Sequence, residues 1–130
     1  MKGIIPLIMV LACVASGVLA QEKKPEVRTV TLKGYVIDAM CGTAWAKKAN
    51  GAEKAARHTK ACALNEHCAA AGYGMFSEGA WVKFDTDGDR QAKAAIQKSK
   101  KERGHYFEVR GAWQGSTLQV ASMKEIPEKK

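Results

Sequence analysis

Four side chains between positions 41 and 68 of this 130-residue chain are of the kinds that bind soft metal ions. Cys41 follows a predicted strand, and His58, Cys62 and Cys68 lie in one stretch of helix-forming residues. Three thiolates with an imidazole suit Zn(II), and thiolates alone suit Cu(I). The sequence therefore predicts a metal site built from Cys41, His58, Cys62 and Cys68, and it leaves the choice between the two ions open.

Helical geometry sorts these residues into two faces. In one unbroken helix, His58 and Cys62 are neighbours at i and i+4, whereas Cys68 lies on a more apolar face. A rise of about 9 Å then separates Cys62 from Cys68, too far for a disulfide unless the helix breaks, for example at Asn65. The alternative to the metal site is a disulfide between Cys41 and Cys68, which leaves Cys62 as a free thiol beside His58.

The amino terminus indicates export. Residues 1–20 have the charged start, short apolar run and small final residues of a secretory signal peptide, with cleavage expected after Ala20. We therefore predict a periplasmic or secreted protein with no transmembrane segment in the mature chain. The run that ends at Cys13 resembles a lipoprotein box, so lipidation of Cys13 is a second interpretation of the same segment.

Composition limits the mature chain to one small domain. The sequence is 46% hydrophobic, and its formal net charge is +8. We expect a linker over residues 21–26, a single domain over 27–124 and a charged tail over 125–130. Export argues against a nucleic-acid partner, so the positive charge is interpreted as favouring an anionic envelope surface or solubility.

The order of predicted elements indicates the fold class. A strand is followed by the helical Cys/His stretch, a hairpin, a second helix and a closing hairpin. This order predicts an α+β fold, namely a small five-stranded OB-like antiparallel barrel. The Cys/His stretch is then an insert after strand 1, and the second helix lies between strands 3 and 4. Another small α+β sheet with the same elements is the competing interpretation.

Several short motifs give the chain a recognisable pattern. They are Asp-x-x-Cys-Gly at Asp38, His-Thr-x-x-Cys-Ala at His58, the single Cys68, and Gly-Tyr-Gly at Gly72. With this pattern, nearly the whole mature chain resembles a group of small exported bacterial proteins of uncharacterised function. The resemblance implies export and an intact domain, and it implies no particular activity.

Taken together, the residues predict an exported binding module for a soft metal ion or a small ligand. The first alternative is a thiol–disulfide redox protein, which needs a resolving thiol within reach of Cys62. The second is a structural, disulfide-stapled envelope protein that holds no metal and tolerates replacement of His58 and Cys62. The sequence contains no nucleophile elbow, P-loop or dinucleotide-binding motif that would indicate a specific enzyme class.

Overall fold

The computed structural model describes Gly17 and residues 27–129. The predicted linker over residues 21–26, the alternative lipidation site Cys13 and all of the predicted signal peptide except Gly17 lie outside the described residues. Within the described part of the chain, no helix has the length and apolar character needed to cross a membrane.

The described residues form five strands and five helices. The strands are β1 (Thr29–Asp38), β2 (Tyr73–Ser77), β3 (Ala80–Phe84), β4 (Tyr106–Gln114) and β5 (Thr117–Glu125). The helices are α1 (Ala39–Trp45), α2 (Gly51–Ala56), α3 (Lys60–Leu64), α4 (Glu66–Ala70) and α5 (Thr86–Lys98). The prediction of an α+β fold is therefore confirmed, with a helical insert after β1 and a helix between β3 and β4.

The five strands form one mixed sheet that closes in a ring. Their order is β1-β2-β3-β5-β4, and β4 pairs in turn with β1. Four of the pairings are antiparallel, but β3 and β5 are parallel, with Lys83 opposite Thr117 and Phe84 opposite Leu118. The prediction of an entirely antiparallel sheet is wrong at this pair. Strand direction cannot alternate all the way around a ring with an odd number of strands, so one pair must be parallel.

Helices cover both faces of the sheet. On one face, side chains such as Val36, Met75 and Phe107 form the larger buried cluster together with Ile96 of α5. On the other face, Tyr35, Ile37 and Phe76 pack around Ala55 of α2. Neighbouring residues of a strand point to opposite faces, so the end of β1 is buried on both sides. Asp38, the last residue of this strand, is consequently enclosed.

The helical insert differs from the prediction of one main helix. It consists of four short helices, and the helix does break at Asn65, between α3 and α4, the position considered above as a condition for a Cys62–Cys68 disulfide. Asn65 has an extended backbone (φ −56°, ψ 137°), and its side-chain oxygen accepts a hydrogen bond from the His67 N–H at 3.1 Å. Asn65 thus caps α4 and changes the direction of the chain between Cys62 and Cys68.

Candidate metal centre

Four side chains from separate parts of the chain converge at the end of β1. One ligand atom from each of Asp38, Cys41, His58 and Cys62 lies within 4.8 Å of the other three. Asp38 and His58 are buried, whereas Cys41 and Cys62 are partly exposed. The structure therefore contains a cluster able to hold a metal ion, and three of its members are residues that the sequence analysis named.

The junction of β1 and α1 positions Asp38 and Cys41. Asp38 is the N-cap of α1, and its Oδ1 accepts a hydrogen bond from the Cys41 N–H at 2.9 Å. The Ala39 N–H donates to the Gly72 carbonyl at 2.8 Å, which ties this junction to the start of β2. The first turn of α1 therefore places the Cys41 thiol beside the carboxylate that caps the helix.

A second capped turn positions His58 and Cys62. Thr59 is the N-cap of α3, and its hydroxyl accepts a hydrogen bond from the Cys62 N–H at 3.1 Å. The predicted helical i, i+4 relation of His58 and Cys62 is wrong, because Thr59 is extended and α3 begins only at Lys60. Backbone hydrogen bonds from Lys60 and Gly104 join this turn to the loop that follows α5. The turn, and not a shared helix face, brings His58 and Cys62 together.

The contact between Asp38 and His58 leaves buried polar atoms without hydrogen bonds. His58 Nε2 lies 2.8 Å from Asp38 Oδ2, and the two side chains are 2% and 0% exposed. Asp38 Oδ2 and both ring nitrogens of His58 nevertheless have no hydrogen-bond partner within the described residues. Buried polar atoms are normally satisfied. A metal ion held by Asp38 and His58 would satisfy one polar atom of each side chain.

Electrostatics at the cluster favour a cation. Burial alone would raise the pKa of Asp38, but the close His58 ring and the Cys41 N–H outweigh it and hold this pKa below its usual value. Burial raises the pKa of Cys41 to about 12, and the negative charge of Asp38 contributes to the increase. The centre thus combines an ionised buried carboxylate with a protonated thiol. A bound cation would stabilise both the carboxylate and a thiolate.

Cys68 borders the four-residue cluster. Burial raises the pKa of its thiol to about 11, and the nearby Asp38 carboxylate and Cys62 thiol contribute to the increase. Cys41, Cys62 and Cys68 are all free thiols in the structure, so the alternative disulfide between Cys41 and Cys68 is not formed.

A cavity lies on the far side of His58. It has a volume of about 260 Å³ and is lined by Trp45, Asn50, Glu53, Lys54, Arg57 and His58. The Trp45 ring packs edge-on against the imidazole, with centroids 5.6 Å apart and an interplanar angle of 75°. This packing fixes the orientation of the ring, and His58 is shared between the cavity and the four-residue cluster.

Asp38 is the member of the cluster that the sequence analysis missed. Its signal was present, because an Asp at the end of a strand and three residues before Cys41 has the spacing of an N-cap. That spacing places a carboxylate beside the thiol. Comparisons of the chain with protein-family models, with curated proteins and with solved structures give no significant match.

Proposed function

We propose that this protein is an exported module that binds Zn(II) through Asp38, Cys41, His58 and Cys62. One observation carries the proposal: donors from two chain segments meet within 4.8 Å, and the two buried ones present polar atoms without hydrogen bonds. Buried charges in proteins are generally paired or coordinate a metal. A resident ion is therefore the simplest explanation of why Asp38 and His58 are kept in this arrangement.

The donor set favours zinc over other common ions. Two sulfurs, one imidazole nitrogen and one carboxylate oxygen are all established zinc ligands, and structural zinc sites are four-coordinate. Calcium and magnesium prefer oxygen ligands. Zinc bond lengths of about 2.0–2.3 Å bring tetrahedral ligand atoms about 3–4 Å apart. Binding would therefore require Asp38 Oδ2 and His58 Nε2, now 2.8 Å apart, to separate slightly, and the more distant donors to move inward.

The ion is proposed to lie at one end of an OB-like barrel. Support for this fold comes from the strand order of the ring, the parallel pairing of β3 with β5 and the position of α5 between β3 and β4. The insert after β1 is then an enlarged first loop, and loops on that side bind ligands in OB folds. Asp38, at the end of β1, is the point at which this insert begins.

Binding is tested with cobalt as a spectroscopic substitute for zinc. The protein is purified with reduced thiols and titrated with Co(II), and Zn(II) is then added as a competitor. We expect intense visible and near-ultraviolet bands from a four-coordinate, thiolate-bound cobalt ion at one equivalent, and their loss on addition of zinc. Absence of these bands, together with no zinc retained after dialysis, would rule out the proposed function.

Variants identify the ligands. Cys62→Ser and His58→Gln are expected to lower zinc affinity by about tenfold or more, since loss even of outer-shell partners often costs about 10–100-fold. His67→Ala is the matched control, because His67 is an exposed histidine of the same insert and lies outside the cluster. Equal losses in His67→Ala and His58→Gln would show that the effect does not come from coordination.

The redox alternative has support from one observation. The sulfur atoms of Cys41 and Cys62 lie within 4.8 Å of each other, so Cys41 is available as a resolving thiol. However, burial and the Asp38 carboxylate raise the pKa of both Cys41 and Cys68, which lowers their thiolate fraction and their reactivity. Turnover of a small disulfide substrate by the metal-free protein, abolished in Cys62→Ser, would favour this alternative over the metal site.

Export is part of the proposal. It is supported by the signal-like residues 1–20 and by the resemblance to small exported bacterial proteins. The mass of the protein recovered from the periplasm of a bacterial host tests it, and we expect a mature chain that begins at Gln21. A lipid-modified chain beginning at Cys13 would support the lipoprotein alternative, and retention of residues 1–20 in the cytoplasm would contradict export.

A further inference from the structure

The two cysteines of the four-residue cluster lie close to each other. The sulfur atoms of Cys41 and Cys62 belong to the group of donor atoms that all lie within 4.8 Å of one another. Both residues are free thiols and both are partly exposed, whereas Asp38 and His58 are buried. The cysteines are thus the two members of the cluster that a small reagent in solution reaches first.

A disulfide between these two sulfurs requires only a local rearrangement. Bonded sulfurs are about 2.0 Å apart, so the two atoms must approach each other by no more than about 3 Å. A helix cap holds the backbone of each residue, because the Cys41 N–H donates to Asp38 and the Cys62 N–H donates to Thr59. Rotation about χ1 moves each sulfur between staggered positions while these caps stay in place. A change of side-chain rotamer therefore supplies a movement of the required size.

We propose that Cys41 and Cys62 form a disulfide that competes with zinc for the same two sulfurs. This inference rests on the proposed function, because both sulfurs are ligands of the proposed zinc site. Oxidation would leave only Asp38 and His58 as donors, half of the four ligands that a structural zinc site uses. The cluster therefore has two exclusive states, a zinc-bound dithiolate and a metal-free disulfide.

The oxidant belongs to the class of small-molecule disulfides. One protein sulfur attacks the small disulfide, which forms a mixed disulfide and releases one small thiol. The second protein sulfur then attacks the mixed disulfide, which forms the Cys41–Cys62 bond and releases the other small thiol. The two protein sulfurs lose two electrons and the small disulfide gains them. A zinc ion that the sulfurs had bound is released to solvent.

Competition for the same sulfurs gives a quantitative expectation. Zinc binds the reduced protein and not the disulfide, so it draws the redox equilibrium toward the reduced form. At a free zinc concentration 100 times its dissociation constant, the equilibrium constant for oxidation should fall about 100-fold. The measurement uses mixtures of oxidised and reduced glutathione with buffered free zinc or with a chelator. Alkylation of the remaining thiols then gives the oxidised fraction.

Peptide mapping identifies the bond. Cys68 is the competing thiol, since it is also partly exposed but contributes no atom to the cluster. After oxidation of the metal-free protein by oxidised glutathione, we expect a peptide pair joined through Cys41 and Cys62, with Cys68 open to alkylation. The variant Cys68→Ser should form the same bond to the same extent. A bond that includes Cys68, or glutathione adducts without an internal bond, would overturn the proposal.

Two histidine variants test whether protection comes from the zinc site. His58→Gln keeps both thiols but removes a zinc ligand, so its protection from oxidation at the same free zinc concentration should be about tenfold weaker or less than that of the wild type. His67→Ala is the matched control and should keep wild-type protection, because His67 is exposed and lies outside the cluster. Equal protection in all three proteins would show that zinc acts elsewhere than at these sulfurs.

The outcomes separate this inference from the proposed function. If the reduced wild-type protein binds no zinc, the proposed function fails, and the competition fails with it. If zinc binds as expected but the Cys41–Cys62 bond does not form, only the disulfide is overturned. If both the ion and the bond form but zinc leaves the oxidation equilibrium unchanged, the two states are not exclusive and the competition is refuted, while zinc binding stands.

Discussion

Replacement of Asp38 should separate its structural role from its role at the metal centre. In the structure, Oδ1 caps α1 through the Cys41 N–H at 2.9 Å, and Oδ2 faces His58 Nε2 at 2.8 Å. Asp38→Ala removes both functions. Asp38→Asn keeps the cap, because Asn and Asp are about equally good N-cap residues, but it removes the negative charge that faces the ion.

The structure gives a magnitude for each role. Loss of an N-cap costs about 1 kcal/mol of unfolding free energy. Loss of the carboxylate that lies 2.8 Å from the buried imidazole costs about a further 1–3 kcal/mol. Without metal, Asp38→Ala should therefore lower the unfolding free energy by about 2–4 kcal/mol, and Asp38→Asn by about 1 kcal/mol less.

Zinc adds a second comparison. An ion that binds only the folded state, at a free concentration 100 times its dissociation constant, adds about 2.7 kcal/mol to the unfolding free energy. We expect a gain of this size in the wild type and a much smaller gain at the same zinc concentration in both variants. Urea unfolding followed by circular dichroism, with a chelator and then with buffered zinc, provides the measurements.

Two results would refute this reasoning. Equal destabilisation of Asp38→Asn and Asp38→Ala in the presence of a chelator would mean that the α1 cap contributes nothing. A zinc-dependent gain in Asp38→Asn as large as that of the wild type would mean that the carboxylate is not a ligand. The first result concerns only the cap, and the second removes Asp38 from the proposed zinc site.

Three further predictions concern the scaffold. Burial, with nearby carboxylates, raises the pKa of Tyr73 from 10.0 to about 12, so the stabilising effect of the Tyr73 hydroxyl should be complete below pH 10 and lost as pH rises toward 12. In urea unfolding across this range, the difference in unfolding free energy between the wild type and Tyr73→Phe should become smaller. A difference that does not change with pH would contradict this prediction. Gly34→Ala should lower the unfolding free energy by about 1–3 kcal/mol, because a Cβ at this position collides with the Phe76 carbonyl of β2. If this variant were as stable in urea as the wild type, the close approach of β1 to β2 would be refuted. Lys60→Met should lower the unfolding free energy by about 0.5–1.5 kcal/mol, since the Lys60 ammonium donates a hydrogen bond to the Ser99 carbonyl at 2.9 Å. An unchanged urea midpoint in this variant would show that the contact contributes nothing to stability.

Local patterns in the sequence were sufficient to predict which segments form strands and which form helices. Strand periodicity indicated the sheet-forming segments, and the change to Ala- and Lys-rich composition indicated the helical insert. The sequence also offered Asn65 as a position for a helix break, since Asn is a favoured N-cap residue and an N-cap has a non-helical backbone. The parallel pairing of β3 with β5 was missed, because pairing depends on how distant strands meet around the ring.

The residues of the metal centre were likewise predictable only in part from the sequence. Residue chemistry identified Cys41, His58, Cys62 and Cys68 as donors, because thiols and imidazoles are the soft ligands of the chain. The participation of Asp38 depended on the three-dimensional arrangement. A carboxylate at the end of a strand is ordinarily a helix cap, and it becomes a candidate ligand only when a distant turn places a buried imidazole against it.

The sequence by itself determined which side chains could bind a metal and where the local turns occur, because these properties depend on residue type and on neighbours a few positions away. Only the tertiary structure decided which donors share one centre, since Asp38 and His58 are brought together by packing of the insert over both faces of β1. It also decided that Cys41, Cys62 and Cys68 are free thiols, of which Cys41 and Cys62 belong to the four-residue cluster. Convergence of distant segments is a property of the packed chain, and no local pattern encodes it.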